Sequence, residues 1–184
     1  MSSIQSPNSS RLVLLSPASL DALADALIGA LGDSGAEILR DAGFTTGGAL
    51  AAELRSRQAT RGGVTIEELP RSDFIAAVSE LFHESGWGRM EIDASRPALT
   101  VLDVHEWSES SSSRGGTHFT TGMLAGFFGT VAGAELAVLE VDPPSPGHGQ
   151  GRFLMGSVAT VDDLFVRLDA GDAVADVLEG LKTA

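Results

Sequence analysis

The chain of 184 residues contains no cysteine and no tyrosine, and it has only two tryptophans. Without cysteine there is no disulfide, thiolate metal ligand, iron–sulfur cluster, catalytic thiol or sulfur-linked lipid. Basic residues are also scarce: 12 Lys and Arg face 25 Asp and Glu, so the net charge is −13. Because that charge repels phosphate backbones and anionic head groups, the composition predicts binding to neither nucleic acid nor membrane.

The sequence also lacks targeting features. No basic stretch followed by an apolar run marks a signal peptide, and no apolar run reaches the roughly 20 residues of a membrane span. We therefore expect a cytoplasmic protein. Residues 1–10, rich in Ser, Pro and Asn, are predicted to be a disordered tail, and 11–184 a single domain.

The most apolar segment, residues 117–133, carries no formal charge when His118 is neutral and is predicted to be a buried helix. At roughly 100° per residue its glycines fall on one line: Gly122, Gly126, Gly129 and Gly133. Each glycine inside a helix costs roughly 1 kcal/mol relative to alanine. The pattern therefore predicts that another backbone packs closely against this face.

A second predicted helix, residues 34–56, also places glycines on its apolar side, at Gly43 and Gly47. Further helices are predicted at 20–31, from Ser72 to the turn at Ser85-Gly86, at 161–168 with Thr160 as cap, and at 173–181. Strands are predicted at 89–93, 99–104, 136–142 and 153–158. Loops are expected at 58–70, 109–116 and 143–151, and the run 11–15 is either an edge strand or a docked arm. This order predicts an α+β fold, with an antiparallel sheet of about four to five strands packed against helices.

Two stretches resemble the 4-vinyl reductase domain family: Ser85-Gly86-Trp87-Gly88-Arg89-Met90-Glu91, and the helix sequence Thr117-His118-Phe119-Thr120-Thr121-Gly122-Met123-Leu124-Ala125-Gly126-Phe127-Phe128. The resemblance covers most of the chain, from about Leu12 to Leu168. It implies the α+β fold of TRAPP transport-complex subunits and of heme-nitric-oxide-binding relatives, and pairing as a homodimer. It also implies a protein that holds a small apolar molecule, as in the sensor domains of phenol-responsive activators.

In those sensors a zinc ion is held by three cysteines and one glutamate. The resemblance places these ligands on Thr117, Glu140, Pro143 and Gly151, so only the glutamate is retained. Because structural zinc sites need four ligands, mostly nitrogen and sulfur, we predict no zinc and no other cofactor. A substitute site built from His118, His148, Glu140 and Asp142 is the less favoured alternative.

The resemblance implies a group of ligand contacts on the central helix and the following hairpin: Thr121, Leu124, Phe128 and Val138. The alternative for each is an ordinary place in the core. If the space beneath Leu124 and Phe128 is sealed, a scaffold role is favoured over ligand binding.

Aromatic and histidine side chains around the first hairpin are further candidates. Trp87, His105 and Trp107 bracket its strands and would give an aromatic wall with a polar handle, although core or interface packing explains each of them alone. His118 either touches a ligand, caps the central helix, or is a partly buried histidine bonded to backbone.

No convincing catalytic arrangement is present, so we expect a protein that is not an enzyme. The glycine-rich run 147–151 joins two strands and does not precede a helix, unlike a phosphate loop. Asp103, His105 and Glu106 are either a metal or acid–base cluster or a polar strand end. The favoured prediction is a homodimeric module that binds or senses an apolar ligand and acts through a partner protein. Alternatives are a scaffold resembling TRAPP subunits and an accessory protein in tetrapyrrole (bacteriochlorophyll) metabolism.

Overall fold

The computed structural model describes residues 17–62, 64–106, 117–142 and 150–180. Its helices are α1 (Pro17–Leu31), α2 (Asp33–Gly62), α3 (Arg71–Glu84), α4 (His118–Ala132), α5 (Val158–Asp169) and α6 (Val174–Gly180), with a 3₁₀ turn at Ile66–Glu68. Its strands are β1 (Arg89–Asp93), β2 (Leu99–His105), β3 (Ala137–Asp142) and β4 (Gln150–Gly156). The predicted α+β class is confirmed.

The four strands form one antiparallel sheet in the order β1-β2-β4-β3. The two predicted hairpins are therefore joined through their second strands, and β2 and β4 are central. Leu102 on β2 lies opposite Ile92 on β1 and Phe153 on β4. Because both central strands are covered on two faces, they are rich in apolar residues on both sides, as Leu99 to Val104 predicts.

Helices cover both faces of the sheet. The larger core lies between the sheet and α2, α3 and α4, where Leu102, Phe127 and Phe153 are fully buried. The smaller core lies on the opposite face, where α5 and α6 place Leu164 and Val177 against the sheet. Helix α4 thus runs through the middle of the molecule, between α2 and the sheet.

Helices α2 and α4 run in the same direction with their backbones in contact, as the glycine pattern predicts. A Cβ atom built on Gly43 or Gly47 would lie 2.0 or 2.1 Å from a carbonyl oxygen of α4. On the other side, a Cβ on Gly122 or Gly126 would lie 2.0 or 2.1 Å from the carbonyl oxygens of Arg40 and Phe44. No side chain fits at these four positions, so glycine is required by the packing.

The sequence predicts close packing against another backbone along all four glycines of α4, and for Gly129 and Gly133 this prediction is wrong. A Cβ on Gly129 would lie 3.0 Å from the carbonyl oxygen of Ala134, in the turn that follows the helix, and would not meet α2. Gly133 is the residue that ends α4, with a left-handed φ of 62°. Gly129 and Gly133 therefore do not extend the backbone contact with α2, although Thr130 near the end of α4 still accepts a hydrogen bond from Arg55 of that helix.

Helix α2 extends to Gly62, whereas the sequence predicted that a loop begins at residue 58. Its last turns are polar because they face solvent and α3. Arg57 is bonded to Glu53 and to Glu84 of α3, and Arg61 donates to Glu80 at 3.1 Å. The bonds to Glu53 and then to Glu84 raise the pKa of Arg57, and together with the Arg61 bond they stabilise a polar helical end that resembles a loop in composition.

Two helix starts also differ from the prediction. Pro70, not Ser72, occupies the position before α3, and its carbonyl accepts the N–H groups of Asp73 and Phe74 at 2.9 Å. Helix α5 begins after Ser157, whose hydroxyl accepts the N–H of Thr160 at 3.2 Å. Strand β4 therefore ends at Gly156 and not at residue 158.

Several predictions concern residues outside the described ranges. They are the disordered tail 1–10, the apolar run 11–15, the loop 109–116, Trp107, Pro143 and His148. Among the helices in the described ranges, none has the length and apolar character needed to span a bilayer.

Candidate ligand-binding site

An apolar groove of about 520 Å³ opens at the end of the sheet where α4 ends. It lies between the start of α3, the turn that leads into β2, the end of α4, and the junction of β4 with α5. The described residues that line it are Phe74, Pro97, Ala98, Leu99, Thr100, Phe128, Val131, Ala132, Leu136, Met155, Gly156, Ser157 and Thr160. None of these carries an ionisable side chain, so the described walls suit a neutral, apolar molecule.

Hydroxyl groups give the groove a polar edge. Ser157 and Thr160 lie 2.8 Å apart between their hydroxyl oxygens, at the start of α5. Thr100, on β2, lies opposite Met155 in the sheet and lines the same groove. Hydroxyls both donate and accept hydrogen bonds, so this edge can orient a ligand that has one small polar group.

A smaller groove of about 280 Å³ lies between the end of α2 and the 3₁₀ turn. Arg55 lines it and is already engaged, since its Nη2 atom lies 3.2 Å from Glu67 and donates to the carbonyl of Thr130 at 2.9 Å. These bonds tie α2 to the end of α4. We therefore assign this groove a structural role.

The predicted site residues divide between two ends of the molecule. Phe128 lines the apolar groove, whereas Leu124 is fully buried in the larger core and lines neither groove. Val138 packs at the edge of that core, opposite Met155 of the groove. The polar candidates lie at the other end, roughly 20 Å away by the length of β2.

Trp87 and Phe119 stack at the start of α4, with ring centroids 5.6 Å apart and planes 12° apart. The adjacent His118 is half-buried, and Arg40 of α2 donates to its Nδ1 atom at 3.4 Å. The hydroxyl of Thr121 donates to the carbonyl of Thr117, one turn earlier in the same helix, at 2.8 Å. The first two contacts connect the start of α4 to neighbouring segments, and the third lies within the first turn of α4.

The charged residues at the end of β2 form separate pairs and do not converge on one point. Asp103 accepts two hydrogen bonds from Arg152, at 2.7 and 2.9 Å, and they raise the pKa of the guanidinium. Glu106 Oε2 lies 3.6 Å from Arg89 Nε, and His105 Nε2 lies 3.6 Å from Glu91 Oε1. This arrangement fits a polar strand end better than a metal or acid–base cluster.

The zinc positions implied by the resemblance do not offer a zinc-binding set. Thr117 and Glu140 are in contact, since the Thr117 N–H donates to Glu140 Oε2 at 2.9 Å. Gly151 has no side chain, and Pro143 cannot ligate through one. Across the described ranges, no three His, Asp or Glu residues are grouped so as to hold a metal ion. The donors present are hard oxygens, which do not match the preference of zinc for nitrogen and sulfur.

Most of the groove was not predicted from the sequence. Leu99, Val131, Leu136 and Met155 occur in ordinary apolar patterns, which give no indication that they lie at the ends of their elements around an open space. The groove exists because the antiparallel order brings the start of β2, the end of β4 and the end of α4 together. Only the pairing of strands, which periodicity does not determine, could have indicated this site.

The chain matches no protein-family model and none of the curated proteins. It is similar to the phenol-responsive sensory domain of the transcription activator PoxR, solved with phenol, with a TM-score of 0.61 and 17% identity over 89% of this chain and 85% of that domain. It is also similar to subunit 3 of the trafficking protein particle complex from Naegleria fowleri, solved covalently bound to palmitic acid. There the TM-score is 0.57 and the identity 10%, over 76% of this chain and 91% of that subunit.

A vinyl-4-reductase family protein from Methanocaldococcus jannaschii aligns over 65% of this chain and 68% of its own, with 20% identity and a TM-score of 0.46. That score is too low to support an argument. The first two structures show the fold: this chain has the TRAPP-like α+β fold that its two motifs imply.

Proposed function

We propose that this protein binds a small, neutral, apolar molecule in the groove at the end of α4 and acts through a partner protein, without catalysis. The observation that carries the proposal is the groove itself. It is large enough for a small organic ligand, its described walls are apolar, and hydroxyl groups lie along one edge.

Charge favours a neutral ligand over an anionic one. No described residue of the groove is basic, and the chain as a whole has a net charge of −13. A carboxylate would therefore lose its hydration without gaining a cationic partner. The absence of cysteine also leaves no thiol for covalent attachment, and the proposed ligand is bound non-covalently.

The structural neighbours support ligand binding in general terms. The PoxR sensory domain was solved with phenol, and the trafficking subunit with palmitic acid. Of these two, phenol is closer to the chemistry of the groove, because it is neutral and has one hydroxyl group. A phenol-sized molecule would contact Phe128 and the hydroxyls near the start of α5.

A ligand in the groove would bridge elements from both helical layers. Phe74 belongs to α3, Val131 to α4 and Thr160 to α5, so the ligand touches both faces of the sheet at its end. Binding would stabilise one arrangement of these elements relative to others. A partner protein that contacts α5 or α3 would detect that change.

A bulky substitution at the edge of the groove tests this proposal. Ala132 is exposed at the end of α4 and lines the groove, so Ala132→Phe places a ring in the ligand space. Ala52→Phe is the matched control, because Ala52 is an exposed alanine on α2 outside the groove. Phenol binding, measured by calorimetry or ligand-observed NMR, should weaken at least about tenfold in Ala132→Phe and remain unchanged in Ala52→Phe.

Octanoate is the second probe, and it should bind more weakly than a neutral alcohol of the same chain length. Equal weakening of phenol binding in both variants would contradict the assignment of the groove. If neither phenol nor octanol binds, the proposed function fails.

A scaffold or assembly role is the second candidate, and the packing of Leu124 favours it. This side chain has no exposed surface and lies in the filled core beneath α4, where a ligand chamber was the expectation for a sensor. Native mass spectrometry of the protein from its own source separates the two functions. Extra mass that disappears on denaturation supports ligand binding, a bare assembly supports the scaffold, and a porphyrin-like pigment would support a tetrapyrrole accessory.

The proposal includes a homodimer, which the resemblance implies. Four large apolar side chains on α1 and α2 are about half exposed in the single chain and provide a surface for pairing: Leu23, Leu31, Ile38 and Phe44. Light scattering at micromolar concentration should give twice the mass of one chain, and the mass of one chain would contradict the dimer. The cytoplasmic location stays a prediction from the sequence.

A further inference from the structure

Helix α4 begins without the usual cap from its own first residue. Thr117 stands at the N-cap position, where a threonine hydroxyl normally accepts a backbone N–H of the first turn. Here the side chain makes no capping bond, and the residue is only 1% exposed. The start of this buried 15-residue helix therefore needs a partner from elsewhere in the chain.

Glu140 of strand β3 provides that partner. Strand alternation points Val138 and Glu140 towards the helix layer, and Val138 packs on the larger core there. The Thr117 N–H donates to Glu140 Oε2 at 2.9 Å. A carboxylate at this point also lies at the positive end of the helix dipole, an arrangement that stabilises the start of the helix.

Two oxygen atoms remain unpaired beside this bond. In the described part of the chain, Thr117 Oγ1 and Glu140 Oε1 are both buried without a hydrogen-bond partner. The threonine hydroxyl therefore contributes nothing to the joint through hydrogen bonding, and burying it carries a cost. The backbone N–H and one carboxylate oxygen make the connection.

We infer that Glu140 is a cap supplied by the sheet, which fixes the start of α4 to β3 without a metal ion. The resemblance places zinc at this same joint between helix and hairpin, but Thr117, Gly151 and Pro143 offer none of its thiolates. In this chain the carboxylate bonds directly to the helix terminus. At its start, α4 is thus joined to the sheet by a hydrogen bond that needs no metal ion, in addition to the apolar core that packs the rest of the helix on the sheet.

The first test compares three variants by thermal unfolding. Glu140→Ala should lower the melting temperature by roughly 3–10 °C, since a charge-assisted bond to a buried N–H is lost. Glu140→Gln keeps an acceptor and should lose less. Thr117→Val has the same shape and keeps the backbone N–H, so its melting temperature should equal or exceed that of the wild type.

Exposed Glu135, just before β3, provides the matched control Glu135→Ala, which should leave the melting temperature unchanged. Amide exchange measured by NMR locates the effect. In Glu140→Ala the Thr117 amide should exchange at least about tenfold faster, and in Glu140→Gln faster by a smaller factor, while the Gly126 amide, held against α2, keeps its rate.

Metal dependence is tested on the wild-type protein. A chelator or added zinc should each shift the melting temperature by less than about 1 °C, because the donor set does not suit zinc. The inference is overturned if the chelator destabilises the wild type, if Thr117→Val is as damaging as Glu140→Ala, or if Thr117 exchange is the same in Glu140→Ala as in the wild type. These outcomes do not depend on ligand binding in the groove.

Discussion

The two halves of α4 are held in different ways. In the first half, Gly122 and Gly126 allow the backbone to lie directly against α2, and no side chain separates the two helices. In the second half, Phe128 and Val131 face the groove instead of another backbone. The first half is fixed because its spacing is set by backbone atoms, whereas the second half borders an open space.

The strongest test of the fixed half compares two neighbouring glycines of α2. A Cβ on Gly47 would lie 2.1 Å from the Met123 carbonyl oxygen, whereas a Cβ on Gly48 meets only the Thr130 hydroxyl at 3.6 Å. Gly47→Ala should therefore cost about 3 kcal/mol or more by forcing the helices apart. Gly48→Ala should stabilise the protein by about 0.5–1 kcal/mol, since alanine favours the helix.

Urea denaturation of both variants measures these changes in the free energy of unfolding. Gly126→Leu on the opposite helix should be at least as damaging as Gly47→Ala, because the Phe44 backbone lies 2.1 Å from its Cβ position. Equal stability of Gly47→Ala and Gly48→Ala would show that the backbone contact is not the fixed element we describe.

Two adjacent phenylalanines of α4 allow a comparison of the core with the groove. Phe127 is fully buried and packs edge to face on Phe82, with ring centroids 5.1 Å apart, whereas Phe128 lines the groove. Phe127→Ala should cost about 3–5 kcal/mol, because it leaves an empty cavity. Phe128→Ala should cost at least about 1 kcal/mol less, since the enlarged groove stays open to water.

The same pair tests the ligand site. In Phe128→Ala, phenol should bind more weakly and a bulkier neutral probe such as naphthol should bind better, as measured by calorimetry. Phe127→Ala, studied under conditions where it remains folded, should show no such change of preference. If both variants shift preference equally, the groove is not a separate site from the core.

Much of the fold was predictable because its determinants are local. The glycines at 43, 47, 122 and 126 predicted close backbone approach, and the alternating pattern of β1 predicted a strand paired in a hairpin. The end of α2 was not predictable, because Arg57 and Arg61 are polar in any conformation. Their partners on α3, Glu84 and Glu80, are distant in sequence.

The candidate site was harder to predict than the fold. Periodicity indicated that Leu124 and Phe128 lie on the buried side of a helix, but one is sealed in the core and the other borders the groove. That difference depends on which strand and helix ends meet at the end of α4. Their meeting is a property of the assembled sheet and helices, and a single segment does not contain it.

The smallest predicted effect concerns the turn that forms one wall of the groove. Asp93 accepts bonds from the Ser95 N–H and from Arg96, both at 2.9 Å, just before Pro97 and Leu99 of the groove. The bonds from Ser95, and then the one from Arg96, lower the pKa of Asp93 below its ordinary value of 3.8. A lowered pKa in the folded state means that the carboxylate stabilises the fold above pH 3.8, and that this contribution is lost as the pH falls through the folded value.

Asp93→Asn should therefore cost less than about 1 kcal/mol near neutral pH, because the side chain is largely exposed and solvent screens its charge. In acid, below the folded pKa, the variant and the wild type should have the same free energy of unfolding. Asp162→Asn on α5 controls for the loss of one negative charge. If the variant is still less stable than the wild type in acid, the turn is held by its shape and not by the charge of Asp93. Phenol affinity should in that case be insensitive to pH across the same range.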